Sequence, residues 1–148
     1  MLQAQRIVVT QADVFMGPAL CQALAAQGAD VLADTDDLTP SQAAKDLVQR
    51  HGRIDVLLVN LAVPAPSTPV GNVDEDEWQH MFNTMVHPLQ RLVKAVLPQM
   101  QDRGRGKILV MGSASALRGM KRASSYSAAR GAQLAYVQAM GVEMAAQG

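Results

Sequence analysis

Three residues in the C-terminal part of the chain have the types and spacing to move a proton: Ser113, Tyr126 and Arg130. Ser113 lies just past an apolar, strand-like run at residues 107–111. Tyr126 follows thirteen residues later, where a helical pattern begins, and Arg130 stands four residues beyond it. A separation of four puts both side chains on one helix face. A free tyrosine titrates at about pH 10, too high for a base at neutral pH. A permanently charged guanidinium one turn away favours the phenolate and lowers that value. A hydroxyl such as that of Ser113 can then hold a substrate oxygen by hydrogen bonding, and the set performs general acid–base chemistry on an alcohol. The plainer alternative is an ordinary Tyr–Arg helical pair beside a turn serine.

The elements that must position these residues alternate along the chain. Strand patterns occupy residues 6–10, 29–33, 54–60 and 107–111, each short, apolar and rich in Val, Ile and Leu. Helical patterns cover 17–27, a stretch from 40 to 51, 75–103, and 124 to about 147. Thr39-Pro40-Ser41-Gln42 reads as the start of the second helix, with Thr39 as cap, Pro40 at the first position and Gln42 closing a capping box. Asp74-Glu75-Asp76-Glu77 places carboxylates where the dipole of the third helix favours them, and Pro88 should kink that helix without ending it. The order β-α-β-α-β-α-β-α predicts an α/β fold, a doubly wound parallel sheet, as one Rossmann-like domain over 1–148. Ligands of such sheets sit at the carboxyl ends of the strands, here 10–17, 34–38, 60–66 and 112–125.

Composition closes off other classes. The 148 residues carry 13 Lys plus Arg against 13 Asp plus Glu, so nothing favours a nucleic-acid partner. Aromatic residues make up 3%, too few for a base-stacking platform. No apolar run is long enough to span a membrane, and the N-terminus does not read as a signal peptide, which predicts a cytoplasmic protein. The single cysteine, Cys21, reads as a small core residue, and His51, His80 and His87 are scattered, so no metal site is expected.

Thr10 to Gly17, Asn60-Leu61-Ala62, Ser113 and Tyr126-Ser-Ala-Ala-Arg130 together resemble the short-chain dehydrogenase/reductase superfamily over the whole chain. The superfamily pattern after the first strand is Thr-Gly-x-x-x-Gly-x-Gly, a turn whose glycines let the backbone approach a pyrophosphate. Gln11 and Phe15 replace two of those glycines and only Gly17 remains. Arg130 stands where a lysine is usual, and the position of the helix asparagine of the dehydrogenase proton relay falls on Met85.

These departures look like the halohydrin dehalogenases, relatives that bind a halide in place of the nucleotide, and closest to their B-type members. The resemblance implies a lyase without a cofactor. Tyr126 would take the proton of a vicinal halo-alcohol, Ser113 would hold the same oxygen, and expulsion of halide would give an epoxide. In reverse, an anion would open the epoxide. Phe15 would line the halide pocket, or else merely pack the sheet edge. The alternative implied is a dehydrogenase using NAD or NADP, with Thr10, Gly17, Asp34 and Asn60 at the cofactor and Asp34 gripping the adenosine ribose. A third reading is an inactive fragment or scaffold. Both families continue past the Tyr126 helix with two more strands and a substrate loop, so the fold is expected to be C-terminally incomplete. Homo-oligomers, dimers or tetramers, are expected through helices 75–103 and 124–147.

Overall fold

The computed structural model describes residues 2–147. Four strands, β1 (Arg6–Val9), β2 (Asp30–Ala33), β3 (Val56–Val59) and β4 (Lys107–Val110), form one parallel sheet in the order β2-β1-β3-β4. The α/β expectation holds. The central strand β3 is Val-Leu-Leu-Val and buried at every position, whereas the edge strands β2 and β4 are partly exposed. This is what burial on both faces demands of a central strand.

Alternate residues of the strands serve opposite faces. Val8, Leu57 and Val59 meet α2 (Ala43–His51) and α4 (His87–Asp102) through Leu47, Leu89, Leu92 and Val96. Ile7, Val9, Val56 and Leu58 meet α1 (Gly17–Ala26) through Leu20, Cys21 and Leu24. Cys21 is thus a half-buried packing residue, and burial pushes its thiol above the ordinary range. The remaining helices are α3 (Glu75–Met85), the four-residue α5 (Ser115–Arg118) and the long α6 (Ser124–Met144).

Two helix boundaries differ from the sequence reading. Thr39 does not cap α2. The Asp37 carboxylate takes both the backbone N–H and the hydroxyl of Thr39, each at 2.9 Å, and these bonds hold it below the usual carboxylate range. The helix starts at Ala43, and Gln42 reaches forward to Asp46 at 3.3 Å. The stretch 75–103 is two helices. Pro88 lacks the N–H that would continue α3, so Val86 separates α3 from α4 and Pro88 falls in the first turn of α4. At the other end of α3 the acidic start behaves as read, Asp74 accepting from the Glu77 N–H at 2.8 Å.

Candidate active site

The carboxyl ends of β1 and β3 are tied by a reciprocal pair. The Thr10 hydroxyl donates to the Asn60 carbonyl and accepts from the Asn60 N–H, both at 2.9 Å. The Asn60 carboxamide then donates to the carbonyls of Gln11 and Val14, each at 3.0 Å. Thr10 and Asn60 are almost wholly buried, so they build the turn from beneath. Gln11 and Phe15, the two residues at glycine positions of the pattern, have φ of 44° and 54°. The turn therefore keeps the left-handed conformation that glycine adopts freely, although neither residue is glycine. Gly17 is required for a different reason. A Cβ there would lie 2.4 Å from the Gln11 carbonyl oxygen. That glycine lets α1 begin hard against the turn.

On α6, Tyr126 and Arg130 meet as their spacing predicts. The Arg130 Nε donates to the Tyr126 hydroxyl at 3.2 Å, and the guanidinium carbon lies 5.2 Å from the ring centroid. Arg130 is buried and ends on neutral acceptors: the Met111 carbonyl at 2.9 Å, the Leu61 carbonyl at 3.0 Å and the Gln133 side-chain oxygen at 2.9 Å. Phe15, Tyr126 and Arg130 line a cavity of about 330 Å³ with Val14 and residues 62–65. Phe15 is 78% exposed, so its ring edges the cavity without filling the turn.

Ser113 does not line the Tyr126 cavity. It lines an adjoining cavity of about 150 Å³ with Gln133, and Arg130 borders both spaces. Its hydroxyl accepts from the N–H and the hydroxyl of Ser115, at 3.2 and 2.9 Å. Asp34 is not placed to grip a ribose. Its carboxylate has no exposed surface, pairs with Arg50 and His51 at the end of α2, and accepts from the Asp36 N–H. Two side-chain contacts of the site escaped the sequence reading. Gln11 closes the turn, its side-chain oxygen accepting from the Ala62 N–H at 2.7 Å. Gln133 sits against Arg130, and its place seven residues after Tyr126 and three after Arg130 was the available signal, since those offsets share one helix face. Met85, at the position where the relay asparagine is expected, is fully buried and presents only its carbonyl, to Gln133 at 2.7 Å.

With a helix carrying Tyr126 and Arg130, a parallel sheet and a left-handed turn after β1 in place, the chain matches the family model for short chain dehydrogenase over residues 6–148. The chain belongs to this family. It is 33% identical over 143 residues to a 2-keto-3-deoxy-L-fuconate dehydrogenase of Xanthomonas campestris pv. campestris, covering 96% of this chain and 46% of that protein. It is 26% identical over 152 residues to a 2-dehydro-3-deoxy-L-rhamnonate dehydrogenase (NAD(+)) of a Sphingomonas species, covering 98% and 61%. Among solved structures, one titled "Dehalogenation enzyme" superposes with a TM-score of 0.88 at 27% identity, over 99% of this chain and 70% of that one. The chain spans about half the length of the curated relatives it matches.

These relatives correct one expectation. The reading without a cofactor rested on the lost glycines, but the family is one of dehydrogenases and a relative named for NAD(+) aligns over nearly the whole chain. The geometry gives the reason the inference failed, because the turn's backbone retains its glycine conformation at both substituted positions. Among the described residues, no group of three His, Cys, Asp or Glu side chains is placed to hold a metal, and no helix is long and apolar enough to cross a membrane.

Proposed function

We propose that the chain supplies the cofactor-binding turn and the proton-transfer residues of a nicotinamide-dependent oxidoreductase acting on the alcohol or carbonyl of a small substrate. The observation that carries this is the buried Arg130 donating to the Tyr126 hydroxyl at the edge of a cavity lined by the β1 turn. The turn fits a dinucleotide pyrophosphate: its backbone is in the glycine conformation, clamped from below by Thr10 and Asn60, and the Gly17 clearance brings the positive end of α1 up to it. A nicotinamide bound there would exchange a hydride with the substrate carbon. Tyr126 would give or take the proton at the substrate oxygen, and the Arg130 charge would favour negative charge on the phenol oxygen during that transfer. Ser113, whose hydroxyl accepts from Ser115 and keeps its own proton to donate, would hold the same oxygen. The ribose contact assigned to Asp34 drops out, since Arg50 and His51 hold that carboxylate inside.

The test is to titrate NADH and NADPH against the fluorescence of Trp78, the chain's one tryptophan, and to follow reduction of NAD+ or NADP+ with 2-keto-3-deoxy sugar acids and simpler secondary alcohols. Binding with turnover that Tyr126→Phe reduces by about 100-fold or more supports the reading. No binding of either nucleotide refutes it.

A second reading, carbon–halogen cleavage in a vicinal halo-alcohol, is favoured by one set of observations. Arginine replaces the usual lysine, an aromatic ring edges the cavity, and the 27% identical structure is titled a dehalogenation enzyme. Here Tyr126 would take the hydroxyl proton and the alkoxide would displace halide from the adjacent carbon. Halide release from a small chloro- or bromo-alcohol, lost in Tyr126→Phe, separates it from the first reading. For both, assembly through α3, α4 and α6 into a homo-oligomer and a location in the cytoplasm belong to the proposal.

A further inference from the structure

We propose that Gln133 is a positioning residue that aims the Arg130 charge at Tyr126 and keeps it unneutralised; this rests on the reading of Tyr126 as the proton-transfer group. Gln133 is 2% exposed and bridges two groups. Its oxygen accepts from Arg130 Nη1 at 2.9 Å and its amide nitrogen donates to the Met85 carbonyl at 2.7 Å. The orientation of the carboxamide is forced. Reversed, it would set donor against donor at Arg130 and acceptor against acceptor at Met85, and both groups are buried where an unmet polar contact is costly. Met85 is the last residue of α3, just before the break that Pro88 imposes, so its carbonyl is not needed for a continuing helix.

The chemistry of the acceptors matters as much as the geometry. Arg130 is 6% exposed and makes no ion pair among the described residues. Its hydrogen-bond partners are two carbonyls, one carboxamide and one phenol. Of these only the phenol can become an anion. A buried cation surrounded by neutral acceptors directs its unbalanced charge at the one partner that can ionise. On α3, packed against α6, the Glu77 carboxylate accepts from the Ser125 hydroxyl at 2.5 Å, and on α5 the charged group is the exposed Arg118. A glutamine at 133 therefore does what a glutamate could not: it fixes the guanidinium without neutralising it.

The deciding comparison is Gln133→Glu against Gln133→Met, with the ionisation of the tyrosines read by ultraviolet absorbance over an alkaline titration without substrate or cofactor. The chain has two tyrosines. The other, Tyr136, is pushed up by burial and by Glu143. Tyr126→Phe then assigns which step belongs to Tyr126. Gln133→Glu keeps an acceptor for Arg130 but adds a negative charge, and is expected to move the Tyr126 step to higher pH. Gln133→Met, close in shape and unable to brace the guanidinium, must move it the same way. The carboxylate of Gln133→Glu raises the step by its charge alone, so Gln133→Met decides: a purely structural glutamine predicts lower stability and an unmoved Tyr126 step in that variant, and that result overturns the proposal. Should the step move while no alcohol, carbonyl or halo-alcohol is turned over, the positioning stands and the functional reading falls. If turnover is found, its loss in Gln133→Met is expected in kcat, with KM unchanged.

Discussion

Gly17→Ala tests whether the turn after β1 is a rigid backbone cradle. The added methyl would stand 2.4 Å from the Gln11 oxygen and 2.6 Å from the carbonyl carbon and oxygen of Ala12. All three atoms are backbone, and the turn cannot retreat easily because Asn60 holds it at Gln11 and Val14. Forced overpacking costs about 1–3 kcal/mol, and this contact belongs at the upper end. Displacing the turn also weakens two buried hydrogen bonds worth about 1 kcal/mol each. The expected loss is about 3–4 kcal/mol, a large share of the total for a domain of this size. At about 2–4 °C per kcal/mol, thermal denaturation should shift down by about 10 °C. Gly141→Ala is the control. It makes the same change on α6 where nothing lies within 4 Å, and removing a helix-interior glycine should stabilise by about 1 kcal/mol. Urea unfolding of the two variants reads both values. A Gly17→Ala within about 0.5 kcal/mol of the parent would refute the cradle and with it the fit of the turn to a pyrophosphate.

Three further outcomes follow from the same geometry. Phe15→Gly removes an exposed side chain from a residue at φ 54°, so stability should stay level or rise by up to about 1 kcal/mol in thermal melts. Arg130→Lys replaces a four-way fork by three donors, so at least one of Tyr126, Met111, Leu61 and Gln133 loses its partner; denaturant unfolding should show a loss of about 1–3 kcal/mol. Asp55 joins the starts of three strands: it accepts from the Arg6 N–H at 3.0 Å and from Arg53 at 2.9 Å, and its backbone carbonyl takes the Lys107 N–H. Burial raises its carboxyl, but the Arg6 amide, Arg53 and Arg103 outweigh this and hold it below the ordinary range. Its contribution is therefore fully present above the unfolded value of about 4 and is lost as the pH falls through the lower folded value. Asp55→Asn should cost about 1–2 kcal/mol at neutral pH, and the gap to the parent should close in acid melts.

Local patterns were legible in the sequence, and partnerships across the chain were not. The all-apolar run Val56–Val59 read as a strand, and the four-residue step from Tyr126 to Arg130 had to place both on one face. Thr39 misled because a capping threonine looks the same whether its hydroxyl faces the helix or, as here, an aspartate two residues earlier. Asp34 misled for a longer-range reason. A carboxylate at the end of β2 is free or spent according to what α2 presents, and α2 presents Arg50 and His51. Ser113 and Tyr126 line different cavities with Arg130 bordering both, and spacing along the chain carries no information about that.

The lost glycines show most clearly where identity and conformation part. Glycine in a pattern records a backbone that must turn left-handed, yet a left-handed φ at Gln11 and Phe15 costs only about 1–3 kcal/mol each, which surrounding contacts can offset. Those contacts are visible: Asn60 grips the turn at Gln11 and Val14, and the Gln11 side chain fastens to Ala62. The glutamine that departs from the pattern thus helps to hold the conformation the pattern encodes. On the proposed reading the chemistry of the site turns less on the missing glycines than on the charge of Arg130, which donates to the Tyr126 hydroxyl. A dehydrogenase and a halo-alcohol lyase both need that charge at the phenol. They differ in what occupies the cavity beneath Phe15, so nucleotide titration, more than any mutation of Tyr126, is the experiment that divides them.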